Sequence, residues 1–297
     1  TSGVSLMTKG LRADLGVMIT ASHNKYPDNG AKFFGPDGCK LSDQAEADIE
    51  TLLVDGSEGG VPSAELGRVT LPDGLQSRYI ELCKATLPAM QRLDGLKIVI
   101  DAAHGAAFAT AAATFWELGA DEVISIGAAP TGDNINAGCG STATDLLSET
   151  VVANGADVGV ALDGDTDRLI ICDETGKIID GDQLLGLIAT GWKAQDRLRG
   201  NGIVATVMSN LGLERYLEGN SMHLVRTQVG DRHVAARMRE DGYNVGGEQS
   251  GHLLMTEYSP TGDGTMAAIQ ILAEIKRQGR LASAVLNVFQ PVPQILK

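Results

Sequence analysis

Three aspartates at positions 163, 165 and 167 stand between two apolar runs in ADVGVALDGDTDRLIIC (156–172), and Arg168 follows the third directly. Side chains at i, i+2 and i+4 of an extended segment project to one side. The spacing therefore predicts that Asp163, Asp165 and Asp167 converge at one edge of a sheet, where their mutual repulsion needs a counter-charge. All-oxygen ligands of this kind suit a hard divalent cation, above all Mg2+. The planar fork of Arg168 suits bidentate contact with an oxyanion such as a phosphate. A solvated acidic turn is the plainer option, since Asp and Gly are common turn residues. Regular alternation between two buried strands argues for the metal.

Two further segments carry reactive groups. Leu15–Thr20 reads as a buried strand that delivers Ala21, Ser22, His23 and Asn24 at its C-terminal end, where α/β proteins commonly build sites. Small Ala21 leaves the Ser22 hydroxyl accessible, and His23 and Asn24 can move protons or donate hydrogen bonds. Taken alone, Ser22 also reads as a turn-capping serine. A Ser–His–Asp hydrolase fits poorly, because there is no G-x-S-x-G elbow and adjacent Ser-His is not triad geometry. Lys32, beyond a turn at Asp28-Asn29-Gly30 that feeds an apolar pair, can hold an anion near Ser22 or simply be solvated. Gly246–His252 (GGEQSGH) sets Glu248, Gln249, Ser250 and His252 among glycines, which suits a hydroxyl-rich ligand and equally an ordinary polar hairpin loop. Thr227–Arg232 opens a helix whose N-terminus favours anions, with Asp231 as a helix cap.

The elements that must position these groups alternate in the α/β manner. Strands are expected at 15–20, 96–101, 122–126, 157–162, 169–173, 203–207, 222–226 and 252–256. Helices are expected at 42–54, 75–90, 105–119, 142–154, 181–194, 210–218, 231–241 and 263–278. Residues 55–74 are Gly/Pro-rich and read as a linker or exposed loop. The fold class is α/β and multi-domain, each domain a mixed sheet with flanking helices. With 297 residues, 43% of them hydrophobic, the chain can bury a real core. A net charge of -14 argues against nucleic acid or an anionic membrane as a partner. An anionic small substrate then depends on local Arg, Lys, metal and N–H groups. Four dispersed cysteines without a CxxC pair read as reduced thiols of a cytoplasmic protein. No signal peptide or membrane-length apolar run is expected. The start at Thr1 without Met, and the stop after an apolar Pro-containing run from Val288 to Leu296, read as a piece of something longer.

Together the three segments resemble the α-D-phosphohexomutase superfamily, and within it the bacterial phosphoglucosamine mutase family. The carrying residues are TASHN (20–24), DNGAKFF (28–34), DGDTDR (163–168), VGDRHV (229–234) and GGEQSGH (246–252), in family order and roughly family spacing over nearly the whole chain. The resemblance implies a fragment of a four-domain protein. Residues 1–74 would be the C-terminal part of domain I, 75–180 domain II, 181–290 domain III, and 291–297 the start of a linker to a missing domain IV. It implies that Ser22 is the phosphoserine and that one Mg2+ per active site is held by Ser22, Asp163, Asp165 and Asp167. Arg168 would contact the transferring phosphoryl, with His23, Asn24 and Lys32 supporting the pocket. Arg232, Glu248, Ser250 and His252 would bind the sugar phosphate with Asn24. Gln249 favours the glucosamine branch over the mannose/glucose branch. Lys25 stands where a proline is frequent and His233 where tyrosine is usual.

The implied activity interconverts glucosamine 6-phosphate and glucosamine 1-phosphate through a phosphoserine enzyme and a bisphosphorylated sugar, on the way to UDP-N-acetylglucosamine. The implied partner is a hexosamine phosphate, with no nucleic acid and no membrane; a homodimer is left open. His23 and His252 are the candidates for moving hydroxyl protons, since imidazole titrates near neutrality. Competing readings are a phosphomannomutase/phosphoglucomutase of the same superfamily, a phosphatase with an aspartate nucleophile, a Ca2+-binding module, and an inactive truncated metal-binding fragment.

Overall fold

Three sheets carry the chain, in a computed structural model that describes residues 1–55 and 60–295. The first is a hairpin. Helix α1 (Ser2–Gly10) precedes β1 (Gly16–Thr20), which pairs antiparallel with β2 (Gly30–Phe34) so that Met18 faces Lys32 and Thr20 faces Gly30; α2 (Asp43–Asp55) follows. The reading of 28–34 as a turn leading into an apolar pair thus gives way to a full strand, made by its pairing with β1. Residues 60–74 are exposed apart from any core, with one 3-10 turn at Ser63–Glu65. Residues 56–59 of the expected loop, and 296–297 of the expected linker, lie outside the described residues.

The second sheet takes α3 (Leu75–Lys84), β3 (Lys97–Asp101), α4 (Ala111–Glu117), β4 (Glu122–Ile126), α5 (Asp145–Asn154), β5 (Val158–Leu162), β6 (Leu169–Asp173) and β7 (Ile178–Ile179). Its order is β4-β3-β5-β6-β7, parallel through β4, β3 and β5 and antiparallel for β6 and β7. Helices cover both faces, which is why β3 reads as a continuous apolar run. Ile98 and Ile100 join Phe115 and Ile271 on one face, whereas Val99 meets Leu147 and Val151 of α5 on the other.

The third sheet takes α6 (Gly181–Ala194), β8 (Gly202–Thr206), α7 (Leu211–Gly219), β9 (His223–Thr227), α8 (Asp231–Asp241), β10 (Val245–Gly247), β11 (Leu253–Met255), α9 (Gly264–Gln278) and α10 (Ala282–Leu286). Its order is β11-β10-β8-β9, with β11 alone antiparallel. Helix α9 packs on β5, β6 and α3 as well as on α6, so one hydrophobic core runs continuously from Tyr79 to Leu286. The expected helix 75–90 stops at Lys84, ahead of Pro88, and 105–119 divides into a 3-10 turn at Ala106–Ala109 and α4. Helices α1 and α10 and strand β10 carry too little periodicity to be read from sequence.

One buried charge in this core has a pH signature. Asp182, in the first turn of α6, accepts the Asn210 backbone N–H through Oδ2 at 2.7 Å, while its Oδ1 has no hydrogen-bond partner among the described residues. Burial pushes its carboxyl up to about 6. Because the folded value lies above the unfolded one, the group supports the fold only while protonated. That support is complete below about pH 4 and is lost as pH rises through about 6. Asp182→Asn is therefore expected to exceed the wild type in stability by about 2–3 kcal/mol at neutral pH. Urea unfolding at pH values on either side of this window should show the difference vanish on the acid side.

Candidate active site

The antiparallel pairing of β5 and β6 leaves residues 163–168 as the turn between them. Here the expected extended segment is corrected. Thr166 is left-handed at φ 63, and Asp163 Oδ1 accepts the backbone N–H groups of Asp167 and Arg168, both at 3.0 Å. The carboxylates converge because the turn curls around Asp163, and not because alternate side chains share a strand face. One oxygen from each of Asp163, Asp165 and Asp167 lies within 4.8 Å of the others. The three residues are 0%, 0% and 1% exposed. Asp163 Oδ2, Asp165 Oδ1 and Asp167 Oδ1 all lack a hydrogen-bond partner among the described residues. Buried anionic oxygens are costly unless neutralised, and a hard divalent ion satisfies three of them together. The donor set fits Mg2+.

The surrounding charges act unequally on the three carboxyls. Burial, with the charges of Asp167 and Asp165, pushes Asp163 well up. Burial opposes ionisation of Asp167 too, but His252 and Lys32 hold it well below the ordinary carboxylate range. For Asp165, burial and Asp167 are outweighed by Lys32 and the Thr1 ammonium. The cluster therefore already draws cations toward it.

Ser22 stands at the end of β1 in a left-handed conformation, φ 53, a strained state for a non-glycine residue that tends to mark functional positions. Its backbone N–H donates to Thr20 Oγ1 at 2.9 Å, leaving its own hydroxyl out of the turn. That hydroxyl accepts from Lys32 Nζ at 3.2 Å. Lys32, on β2 opposite Met18, also bonds Asp165 Oδ2 and reaches Asp167 Oδ2 at 3.0 Å. The solvated-lysine reading fails, since the ammonium bridges the serine and the acidic turn. Burial disfavours its charge, yet Asp167 and Asp165 raise its pKa above the ordinary lysine value.

His23 Nδ1 and Arg168 Nε are buried without hydrogen-bond partners among the described residues. Burial and then the Arg168 charge lower the His23 pKa. Asn24 is exposed and gives its carbonyl to Asn136.

Asn136 is the residue that sequence reasoning missed. Its Nδ2 donates to the carbonyls of Ser22 and Asn24 at 2.8 and 2.7 Å, and its Oδ1 accepts the Gly164 N–H at 3.0 Å. It carries no charge, and two of its partners are backbone atoms more than a hundred residues away, so no local pattern reveals it. The same junction needs a glycine at 164. A Cβ there would stand 2.5 Å from both the Ser22 carbonyl oxygen and Ile135 Cδ1. Gly164→Ala is expected to cost about 1–3 kcal/mol by forcing these neighbours apart, measured as a lower urea midpoint.

The loop Glu248–His252 joins β10 to β11. Glu248 Oε1 accepts the Gly230 N–H at 2.9 Å, and Ser250 Oγ donates to Glu248 Oε2 at 3.4 Å. His252 is buried, with Nε2 2.9 Å from Asp167 Oδ1 and Nδ1 3.3 Å from Glu248 Oε2, both off the line a hydrogen bond needs. Burial lowers its pKa, but Asp167 and Glu248 outweigh that and hold it up at about 10. His252 thus ties this loop to the acidic turn, and an isolated bridge between Arg168 and His252 joins their backbones. Gln249 turns aside, its Nε2 donating to Asp180 Oδ2 at 3.0 Å. Ser250 is exposed. Arg232, at the start of α8, is engaged by Asp43 and by Glu46 Oε2 at 2.9 Å, while Lys40 Nζ pairs with Asp231 at 2.5 Å.

The arrangement has known counterparts. Models of phosphoglucomutase/phosphomannomutase match three stretches: alpha/beta/alpha domain I at residues 1–59, domain II at 77–176 and domain III at 180–292. The phosphoglucosamine mutase of Sphingopyxis alaskensis is 59% identical over 297 residues, which is 100% of this chain and 66% of that protein. The chain belongs to the α-D-phosphohexomutase superfamily, on its phosphoglucosamine mutase branch. It spans 66% of the length of that relative. Among solved structures, a phosphoglucomutase/phosphomannomutase family protein of Burkholderia thailandensis is 27% identical with a TM-score of 0.78, covering 92% of this phosphohexomutase chain and 58% of its own. The Aspergillus fumigatus N-acetylphosphoglucosamine mutase, solved with GlcNAc-6P and magnesium, shares the fold at 19% identity and a TM-score of 0.70 over 98% of this chain and 77% of its own. No described helix of this phosphohexomutase is long and apolar enough to cross a membrane.

Proposed function

We propose that this chain is the part of a cytoplasmic phosphoglucosamine mutase that carries its phosphoserine, cation and sugar loops, with domain boundaries near residues 74, 180 and 290. The observation that carries the reading is the Ser22 hydroxyl, unused by its own turn and 3.2 Å from an ammonium that also touches Asp165 and Asp167. A hydroxyl so placed can hold a phosphoryl group against a cation site.

Phosphoryl transfer depends on in-line positioning and charge neutralisation more than on covalent chemistry by the protein. In the proposed reaction, the bond from phosphorus to Ser22 Oγ breaks as a bond from phosphorus to a free hydroxyl of glucosamine 6-phosphate or 1-phosphate forms. The proton of that hydroxyl passes to a base. The bisphosphorylated sugar then returns its other phosphoryl to Ser22. Mg2+ bound by Asp163, Asp165, Asp167 and a phosphoserine oxygen would supply neutralising charge to the phosphoryl oxygens. Lys32 and the unpartnered Nε of Arg168 add cationic contacts from the protein itself. Of the two imidazoles, His23 suits proton acceptance, because its lowered pKa leaves it neutral near pH 7. His252 suits holding Asp167 and Glu248 in place.

Glu248, Ser250 and His252 are proposed to meet sugar hydroxyls, with Asn24 at the opposite side. Arg232 lines a pocket of about 390 Å³ with Lys40, His233 and Arg239, a cationic surface suited to the substrate's distal phosphate. The name of the Sphingopyxis relative favours glucosamine phosphate, and the GlcNAc-6P and magnesium held by the Aspergillus enzyme favour a hexosamine phosphate with that ion.

Phosphorus NMR of the full-length protein with Mg2+ and a trace of glucosamine 1,6-bisphosphate tests this. Glucosamine 6-phosphate should convert to the 1-phosphate faster than glucose or mannose 6-phosphate does. Equal or faster conversion of the hexose phosphates would move the assignment to the phosphomannomutase/phosphoglucomutase reading.

A further inference from the structure

We propose that Asn136 is the positioning residue of this site, an amide clamp that fixes the Ser22 loop to the acidic turn and so sets where the Ser22 oxygen stands relative to the aspartates. The inference rests on the proposed function for its catalytic consequence, though not for its geometry. Asn136 is 5% exposed. All of its side-chain polar capacity toward the site is spent on two loops: Nδ2 on the carbonyls of Ser22 and Asn24, Oδ1 on the N–H of Gly164. Its own backbone N–H donates to the Ala103 carbonyl at 2.9 Å, anchoring the clamp to the end of β3. Its φ of 54 is left-handed, a conformation that asparagine tolerates better than most side chains.

The alternatives at this position fail on donor count. Both acceptors in the Ser22 loop are carbonyls and the group on the acidic turn is an N–H, so the clamp needs two donors and one acceptor on one short side chain. A primary amide supplies that set and a carboxylate does not. The Ser22 loop has few other ties across this junction. Lys32 reaches the hydroxyl itself and therefore moves with the reacting group, whereas Asn136 holds the backbone. Losing the clamp should leave both loops folded but free to shift relative to each other, and a misplacement of about 1 Å can cost about 100-fold in rate.

Asn136→Gly removes the amide while keeping a residue that accepts left-handed φ, and Asn136→Asp keeps the acceptor for Gly164 while deleting both donors. Hydrogen exchange of the full-length protein should quicken at least about tenfold at Gly164 and over Ser22–Asn24 in Asn136→Gly. In Asn136→Asp the quickening should be confined to Ser22–Asn24. With hexosamine phosphate, both variants should lose about 100-fold in kcat with KM within about threefold of wild type, at temperatures well below their unfolding. Unchanged exchange at both loops would overturn the clamp whatever the activity. Wild-type kcat in folded Asn136→Asp would overturn the positioning role. A wild-type protein that turns over no sugar phosphate would sink the proposed function instead, and the exchange data would still decide whether Asn136 joins the loops.

Discussion

Ser22→Ala in the full-length protein is expected to lower kcat/KM for hexosamine phosphate by about 10,000-fold or more, because it deletes the oxygen that holds the phosphoryl group beside Lys32 and the acidic turn. The fold should barely respond. The Ser22 hydroxyl accepts one hydrogen bond, from Lys32, and the bond that shapes the turn runs from the backbone N–H to Thr20 Oγ1. Alanine keeps that N–H and suffers the same left-handed strain as serine. The melting temperature should therefore stay within about 2 °C, and Mg2+ binding to the aspartates should persist. The phosphatase reading predicts the opposite, since an aspartate nucleophile has no need of Ser22. Steady-state kinetics beside thermal unfolding separate the two.

Asp163→Asn should produce the second large effect, on metal affinity. Asp163 has two tasks: Oδ1 accepts the N–H groups of Asp167 and Arg168, and Oδ2 stands without a hydrogen-bond partner among the described residues, within the carboxylate cluster. An amide oxygen can still accept both N–H groups, so the turn should keep its shape. The negative charge is lost, and with it one of three anionic ligands. Calorimetric titration should show Mg2+ binding weakened by about 100-fold. Without Mg2+, the variant should be at least as stable as the wild type, because burial and two neighbouring carboxylates already penalise the Asp163 charge. Loss of fold together with metal binding would mean that Asp163 is a turn residue first and a ligand second.

Much of this was legible in the sequence because it is local. The apolar run 15–20 and the runs flanking 163–168 read as strands, and their ends carry the serine and the aspartates. The aspartates do converge, though by a different route from the one their spacing suggests: alternate positions on a strand predict a shared face, whereas the structure uses a curled turn with Thr166 left-handed. Strand β2 was not legible, since Gly30, Ala31 and Lys32 have no strand pattern of their own and acquire one from β1. Its pairing is also what brings Lys32 inward, a placement that decides between a solvated lysine and a site lysine. The roles of His252 and Gln249 were out of reach for a similar reason. Both lie in a loop that reads as ligand-facing, yet His252 is packed against Asp167 and Gln249 is turned to Asp180. Asn136 and Gly164 show the limit most plainly, because their partners are backbone atoms of a distant loop.

The central claim is that Ser22 carries the phosphoryl group at a three-aspartate cation site. Phosphopeptide mapping of the full-length protein, after exposure to glucosamine 1,6-bisphosphate and Mg2+, tests it most directly. The account predicts a single phosphoryl group on Ser22, lost from the protein when excess glucosamine 6-phosphate is added. A phosphoryl group found on an aspartate of the 163–167 turn, or none on Ser22, would contradict it.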